Sequence, residues 1–336
     1  MRPAAAMESN QRFRNCSDQR MKAWHFLGTG QPLKPVDIPV PVAGPGQVLL
    51  QVGGCGLCHT DVGVLEDEGW LSTSVKLPIV MGHEVAGTIT ALGPEVADWQ
   101  IGDRVGACPS MAVGAPGFSY DGGFAEYMLA VADTLVPIPD SVSFAAGAAA
   151  TDAGMTSHHA MVASGGLQSG MKVGVIGYGG LGQIGSRIAV LKGADVFLAE
   201  IDESVWNLAR EQGVKEISNS VLDFVNEDLD LIVDYAGFGV TTAEAIEAVR
   251  VGGTVVQVGM GKLEATISTK AMILKRVTLK GSNGGDKRDI ESIYSMMAAG
   301  DLEPSISEIP LDRLHEGLGQ LARGEVTGRL VANPSQ

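Results

Sequence analysis

The run "MKVGVIGYGGLGQIGSRIAVLKGADVFLAE", residues 171–200, constrains the fold more than any other stretch of the chain. It opens as a buried strand, "MKVGVIG" at 171–177, and continues as a helical pattern, "LGQIGSRIAVLKG" at 181–193, closed by glycine. Between them Gly177, Gly179 and Gly182 stand at G-x-G-x-x-G spacing, with Gly180 inside the same turn. The spacing alone is a weak signal. Between a strand and a helix each glycine gains a use: a tight turn, close approach of backbone to a pyrophosphate, and packing of the helix on the sheet. The pyrophosphate would rest on amides at the helix N-terminus, where the helix dipole is positive. At the end of the next strand, "DVFLAE", stands Glu200. A carboxylate there accepts hydrogen bonds from both ribose hydroxyls and repels a 2′-phosphate, which favours NAD over NADP.

The same alternation continues. "SVWNLAREQG" (204–213) reads as helix, "LDLIVDYAG" (229–237) as strand, "AEAIEAVRVGG" (243–253) as helix and "TVVQVG" (254–259) as strand. "AMILKRVTLKG", Ala271 to Gly281, reads as a further apolar strand at the sheet's edge. Strand and helix in strict alternation predict a parallel sheet with crossover helices. Upstream, from Met21 to about Ala150, short alternating runs such as "QVLLQV", "VAGTITAL" and "DTLVPIP" are broken by Gly and Pro, which predicts a compact, mostly antiparallel β domain. From about Arg288 two amphipathic helical patterns precede "GRLVANP", which returns to that first domain. The expected class is therefore α/β in two domains. Residues 1–20 form a mobile extension without the apolar core of a signal peptide, 21–152 with 288–336 a mostly-β domain, and 153–287 the dinucleotide domain.

Charge narrows the partners. Against 24 Lys and Arg stand 39 Asp and Glu, a net charge of −15, which argues against nucleic acid and anionic membranes and for a small uncharged or locally steered substrate. No apolar run reaches the roughly 18 residues of a membrane span. The four cysteines, at 16, 55, 58 and 108, suit no disulfide framework, and a cytoplasmic protein is expected.

Two of those cysteines, Cys55 and Cys58, sit in "GGCGLCHTDVGV", Gly53 to Val64. Cys58 alone reads more readily as a buried small hydrophobe than as a ligand. Yet "MGHEVAG" puts His83 and Glu84 between Gly82 and an apolar strand, and "AAATDAGMTSHHA" sets Asp152 in a small, apolar run where a lone carboxylate would be costly without a cation. Thiolate, imidazole and carboxylate are a donor set of catalytic zinc, which takes three protein ligands and leaves a position open.

With "CHTD" at 58–61, "GHEVAG" at 82–87, "GDRV" at 102–105, "GGFAEY" at 122–127, "GYGGLG" at 177–182 and "GRLV" at 328–331, the chain resembles the zinc-dependent medium-chain alcohol dehydrogenases over essentially all of 21–336. The resemblance implies a GroES-like catalytic domain and a Rossmann NAD-binding domain. It implies one catalytic Zn(2+) held by Cys58, His83 and Asp152, the last a variant of the usual Cys in some bacterial members, with Glu84 as a direct or transient ligand. By the same resemblance Asp61 orients the zinc histidine, Thr60 accepts the substrate's hydroxyl proton, Thr156 and Leu181 pack on the nicotinamide, and His59 and Arg329 contact the pyrophosphate.

Two departures from the family pattern matter. The four cysteines of the family's structural zinc are missing: the interval Gly106 to Asp121 holds only Cys108, so no structural zinc is expected and Cys55 reads as a packing thiol. Many relatives carry a relay histidine where this chain has Gly63, so a relay would run from Thr60 through the cofactor ribose or water. His158 and His159 read as helix-surface or core residues, and Trp70 as a pocket or core residue. The implied activity is reversible hydride transfer between an alcohol and NAD, on a small-molecule alcohol, ketone or aldehyde. A zinc-free quinone or enone reductase of the same superfamily and a non-enzymatic dinucleotide-binding protein are the alternatives. The edge strand expected at 271–281 implies pairing with a second chain, giving a homodimer or homotetramer.

Overall fold

A computed structural model describes residues 19–70, 75–110 and 112–336, so the expected extension falls outside the described residues except for Gln19 and Arg20. Arg20 already belongs to a strand, β1 (Arg20–Phe26). The described chain forms two compact units: one runs to Thr151 and adds Ile306–Val326 and Leu330–Gln336, the other comprises Asp152–Ser305 and Thr327–Arg329.

The first unit is built on β3 (Gln47–Leu57), which pairs antiparallel with β5 (Glu84–Leu92), β7 (Tyr127–Val131) and β16 (Arg329–Asn333). With β6 (Arg104–Ala107), β8 (Leu135–Pro137) and β15 (Ile306–Pro310) these make a seven-stranded sheet. β1, β2 (Lys34–Pro39) and β4 (Ile79–Val80) form a small second sheet. The expected run 133–139 divides, with a tight helical turn at Ala132–Thr134 before β8. In β3 the apolar residues Leu50, Val52, Cys55 and Leu57 are buried, and three glycines do specific work. A Cβ on Gly53 would come within 2.5 Å of the Phe144 ring and one on Gly54 within 3.2 Å of the Phe144 carbonyl, so this pair admits the start of the helical run 144–164. A Cβ on Gly56 would fall 2.1 Å from Oε2 of Glu84, its partner across the β3/β5 ladder. Glycine in mid-strand weakens a strand; here it makes room for a helix and a buried carboxylate.

The second unit is a fully parallel six-stranded sheet. Its strands are β9 (Lys172–Ile176), β10 (Asp195–Ala199), β11 (Glu216–Ser218), β12 (Leu229–Asp234), β13 (Val249–Gln257) and β14 (Thr278–Gly281), in the spatial order β11-β10-β9-β12-β13-β14. That is the doubly wound order whose direction reverses between β9 and β12, the place where such sheets bind dinucleotides.

Three sequence expectations change here. The helix expected over 243–253 ends at Ala248, because β13 starts at Val249; Val249 and Val251 are β-branched, Gly252 and Gly253 are poor helix formers, and Arg250 Nε pairs with Asp230 Oδ1 at 2.7 Å on the neighbouring strand. The strand expected over 271–281 is a helix, Thr269–Lys275, followed by a left-handed Arg276 and only then β14. Ser268 caps that helix by accepting from the Ala271 amide at 3.1 Å, a local signal that a short apolar run conceals. The third change concerns the helix Lys287–Ala298, which lies in the second unit rather than with 306–336. Its Asp289 accepts hydrogen bonds from Nδ1 of His158 at 2.6 Å and of His159 at 2.9 Å, so these two histidines share one carboxylate. Burial by itself would raise that carboxyl, but the bonds from His158, the Asp286 amide and His159 outweigh it and hold it below the ordinary range. Among the described residues no helix is long and apolar enough to cross a membrane.

Candidate active site

The end of β3 hands the chain to α1 (His59–Glu66), and Cys58 stands at the junction as its N-cap. The Cys58 sulfur accepts from the Thr60 amide at 3.5 Å, while the Cys58 amide donates to Asp61 Oδ2 at 3.0 Å. This reciprocal capping box explains why "C-x-x-D" folds as a helix start and sets the Cys58 sulfur at the helix N-terminus. The other oxygen of Asp61, which is fully buried, lies 3.4 Å from Nδ1 of His83. Asp61 is thus hydrogen-bonded to the Cys58 amide and stands close to one edge of the His83 ring, with the other ring nitrogen on the far side.

His83 follows Gly82, whose φ of +95° is a backbone turn that side chains rarely adopt. Glu84 opens β5 and is fully buried in the space left by Gly56. Asp152 follows Thr151 directly in the helical run 144–164, where the Thr151 hydroxyl donates to the Ala148 carbonyl at 2.8 Å. One ligand atom from each of Cys58, His83, Glu84 and Asp152 lies within 4.8 Å of all the others. A thiolate and two carboxylates this close, three of the four residues buried and an imidazole lone pair among them, would be unfavourable alone, and a divalent cation offsets them. The mixture of S, N and O donors fits zinc. Cys55 stands apart from this group: it is buried, its sulfur packs where a Cβ on Gly82 or Gly123 would be, at 2.7 and 2.8 Å, and burial pushes its thiol well up.

In the second unit the glycine turn has the geometry a dinucleotide needs. Gly177 has φ +87°, and a Cβ on Gly182 would sit 1.9 Å from the Gly177 carbonyl oxygen. Nothing lies within 4 Å of a Cβ at Gly179, so the face of the turn there is open. A Cβ on Gly180 would strike the Arg329 side chain at 2.4 Å, which sets that buried guanidinium against the first turn of the helix Gly180–Leu191. Glu200 accepts from the Tyr178 amide at 2.6 Å and the Asp202 amide at 2.7 Å, so its carboxylate is fastened beside the turn with one lone pair on each oxygen engaged.

Comparison with known proteins bears on the same two regions. The "Alcohol dehydrogenase GroES-like domain" family matches residues 44–140 and the "Zinc-binding dehydrogenase" family matches 180–299, together more than half of the chain. An alcohol dehydrogenase of Geobacillus stearothermophilus is 29% identical over 326 residues, covering 90% of this chain and 96% of that protein. Among solved structures, acetophenone reductase from Geotrichum candidum NBRC 4597 in complex with NAD is 28% identical, with a TM-score of 0.86 and 94% of this chain and 97% of that chain covered. The alcohol dehydrogenase of Aeropyrum pernix is 25% identical with a TM-score of 0.85, covering 93% of this chain and 100% of that one. The chain belongs to the zinc-type medium-chain dehydrogenases/reductases.

In this dehydrogenase the remaining candidate residues fall as follows. The Thr60 hydroxyl lies 3.5 Å from the Cys58 sulfur. His59 is exposed at the start of α1. Thr156, one turn beyond Asp152, donates its hydroxyl to Asp152 Oδ1 at 3.3 Å, a link to the carboxylate that sequence reasoning missed. Leu181 is held through its carbonyl, which accepts from the Ser157 hydroxyl at 2.9 Å. Ser157 is itself tied to Tyr235, whose hydroxyl donates to the Ser157 carbonyl at 3.2 Å and whose ring occupies the space left by Gly185. Trp70 packs against Gly63, where a Cβ would come within 2.4 Å of its ring, so no side chain fits at 63 while that ring is in place. Phe118 was also missed, and no pattern in the sequence marks it: its ring lies against His83.

Proposed function

We propose that the dehydrogenase catalyses reversible, NAD-dependent oxidation of small alcohols to aldehydes or ketones at a zinc site formed by Cys58, His83 and Asp152, with Glu84 as a fourth, exchangeable ligand. The convergence of these four ligand atoms within 4.8 Å carries the reading. When bound, the metal would supply Lewis acidity toward the substrate oxygen and NAD would serve as the hydride acceptor. The chain's own groups do the rest. Thr60, beside the Cys58 sulfur, takes the substrate's hydroxyl proton; with Gly63 closed off by Trp70, that proton leaves by the cofactor ribose or by water rather than by a side chain at 63. Asp61 holds His83 in one tautomer. Gly177, Gly179, Gly180 and Gly182 seat the pyrophosphate, assisted by Arg329 and His59, and Glu200 receives the adenosine ribose. Thr156 and Leu181 would be the residues that pack on the nicotinamide when the cofactor is bound.

Cys55, Cys58 and Cys108 are not joined in disulfides, which suits a reducing, cytoplasmic setting, since a ligand thiolate must stay unoxidised. β14 is an edge strand of its sheet, and its pairing with the same strand of a second copy would give a homodimer. Elemental analysis together with a panel of primary, secondary, aryl and polyol alcohols, followed by absorbance of the reduced cofactor, tests the proposal. Stoichiometric zinc and NAD reduction by at least one alcohol class support it; turnover in a preparation free of metal contradicts the zinc assignment.

A further inference from the structure

Phe118 lies with its ring centroid 5.2 Å from that of His83 and its plane inclined by 45°. Its place is set by backbone rather than by side-chain adjustment. Gly117 has φ +78°, and a Cβ there would meet the Gly82 nitrogen at 2.8 Å. A Cβ on Gly122 would lie 2.2 Å from the Gly82 carbonyl oxygen, and one on Gly82 would lie 2.7 Å from the Phe124 ring. The two segments thus meet main chain to main chain. The amides of Gly122, Gly123 and Phe124 donate to the carbonyls of Val80, Gly82 and Met81 at 2.7, 2.8 and 2.9 Å, and the Val80 amide donates to Asp121 Oδ1 at 2.9 Å. The segment that would hold a structural zinc in relatives is here a short loop fastened to the residues just before His83, and Phe118 is its partly buried tip.

We infer that Phe118 is a positioning residue of the metal centre. Asp61 approaches the imidazole at its edge, with Oδ1 3.4 Å from Nδ1. Phe118 adds a contact over the ring itself, and the two together keep the histidine aimed at the space shared with Cys58, Glu84 and Asp152. The inference rests on the zinc-site reading above.

The test measures zinc release from the purified protein to excess chelator, the absorption spectrum of the Co(II)-substituted protein, and the thermal midpoint. Phe118→Ala should release zinc about five- to tenfold faster and shift the Co(II) ligand-field bands, whereas Phe118→Tyr, which keeps the ring, should stay within about twofold of the unaltered protein. Should the alanine variant not fold, Phe118→Leu keeps apolar volume without the ring and should show the same direction of change. A variant that lowers the thermal midpoint but leaves zinc release and the Co(II) spectrum unchanged would reduce Phe118 to packing and overturn the inference. An unaltered protein that holds no zinc would instead overturn the site reading, and Phe118's role with it.

Discussion

The cofactor turn and the metal cluster are two sites built in opposite ways. The turn is almost contiguous: Gly177 to Gly182 lie in one loop, and Glu200 comes at the end of the next strand. The cluster is drawn from Cys58, the pair His83–Glu84, and Asp152, segments far apart in the chain. A contiguous site depends on what its own backbone permits, so its weak points are glycines. A dispersed site depends on the groups that hold each ligand, so its weak points are the ligands and partners such as Asp61.

That contrast can be broken at several places, the largest effect first. Cys58→Ala should lower kcat/KM by more than about 100-fold, beyond the range typical for an outer partner, because it removes the only thiolate among the four groups. Steady-state kinetics with any accepted alcohol checks this, and normal turnover would remove Cys58 from the site. On the cofactor side, Gly182→Ala should raise the Kd for NAD by about 10- to 100-fold, since its Cβ would sit 1.9 Å from the Gly177 carbonyl and the turn must open. Calorimetric titration with NAD reads it, and zinc content should be untouched; an NAD affinity like that of the unaltered protein would show the turn is not the seat of the pyrophosphate. Asp61→Asn should cost about tenfold in zinc affinity, less than loss of a ligand, because the amide still fills the space between Cys58 and His83. Competition with a chelator of known affinity would measure it. The smallest effect is at Glu200: the unaltered protein should prefer NAD to NADP by at least about tenfold in kcat/KM, and Glu200→Ala should narrow the gap by removing repulsion of the 2′-phosphate. Equal use of both cofactors by the unaltered protein would contradict the role given to Glu200.

The same contrast governs what could be read from the chain. The turn at 177–182 and Glu200 beside it were legible because such a turn needs adjacency and a strand-to-helix context, both visible in order. His83 and Asp152 were legible as ionisable groups in apolar runs, whereas Cys58 by itself read as a small buried hydrophobe and drew notice only beside them; nothing in the chain order states that the three meet. Phe118, the Thr156 link to Asp152 and the sharing of Asp289 by His158 and His159 were not legible, because each depends on which distant side chain arrives alongside. The helix at Thr269–Lys275 was misread because a short apolar run has no distinguishing period, and its capping Ser268 lay just outside the run. The role of Gly56 appears only once β3 and β5 are in register and Glu84 stands opposite.

The central claim is that one metal site forms from those separated segments, with Asp152 as a ligand. Zinc per chain, measured by elemental analysis on the unaltered protein and on Asp152→Ala side by side, tests it most directly, with NAD binding as the check that the second unit is intact. The account predicts one zinc per chain in the first, almost none in the second, and NAD affinity alike in both; full zinc occupancy in Asp152→Ala would contradict it.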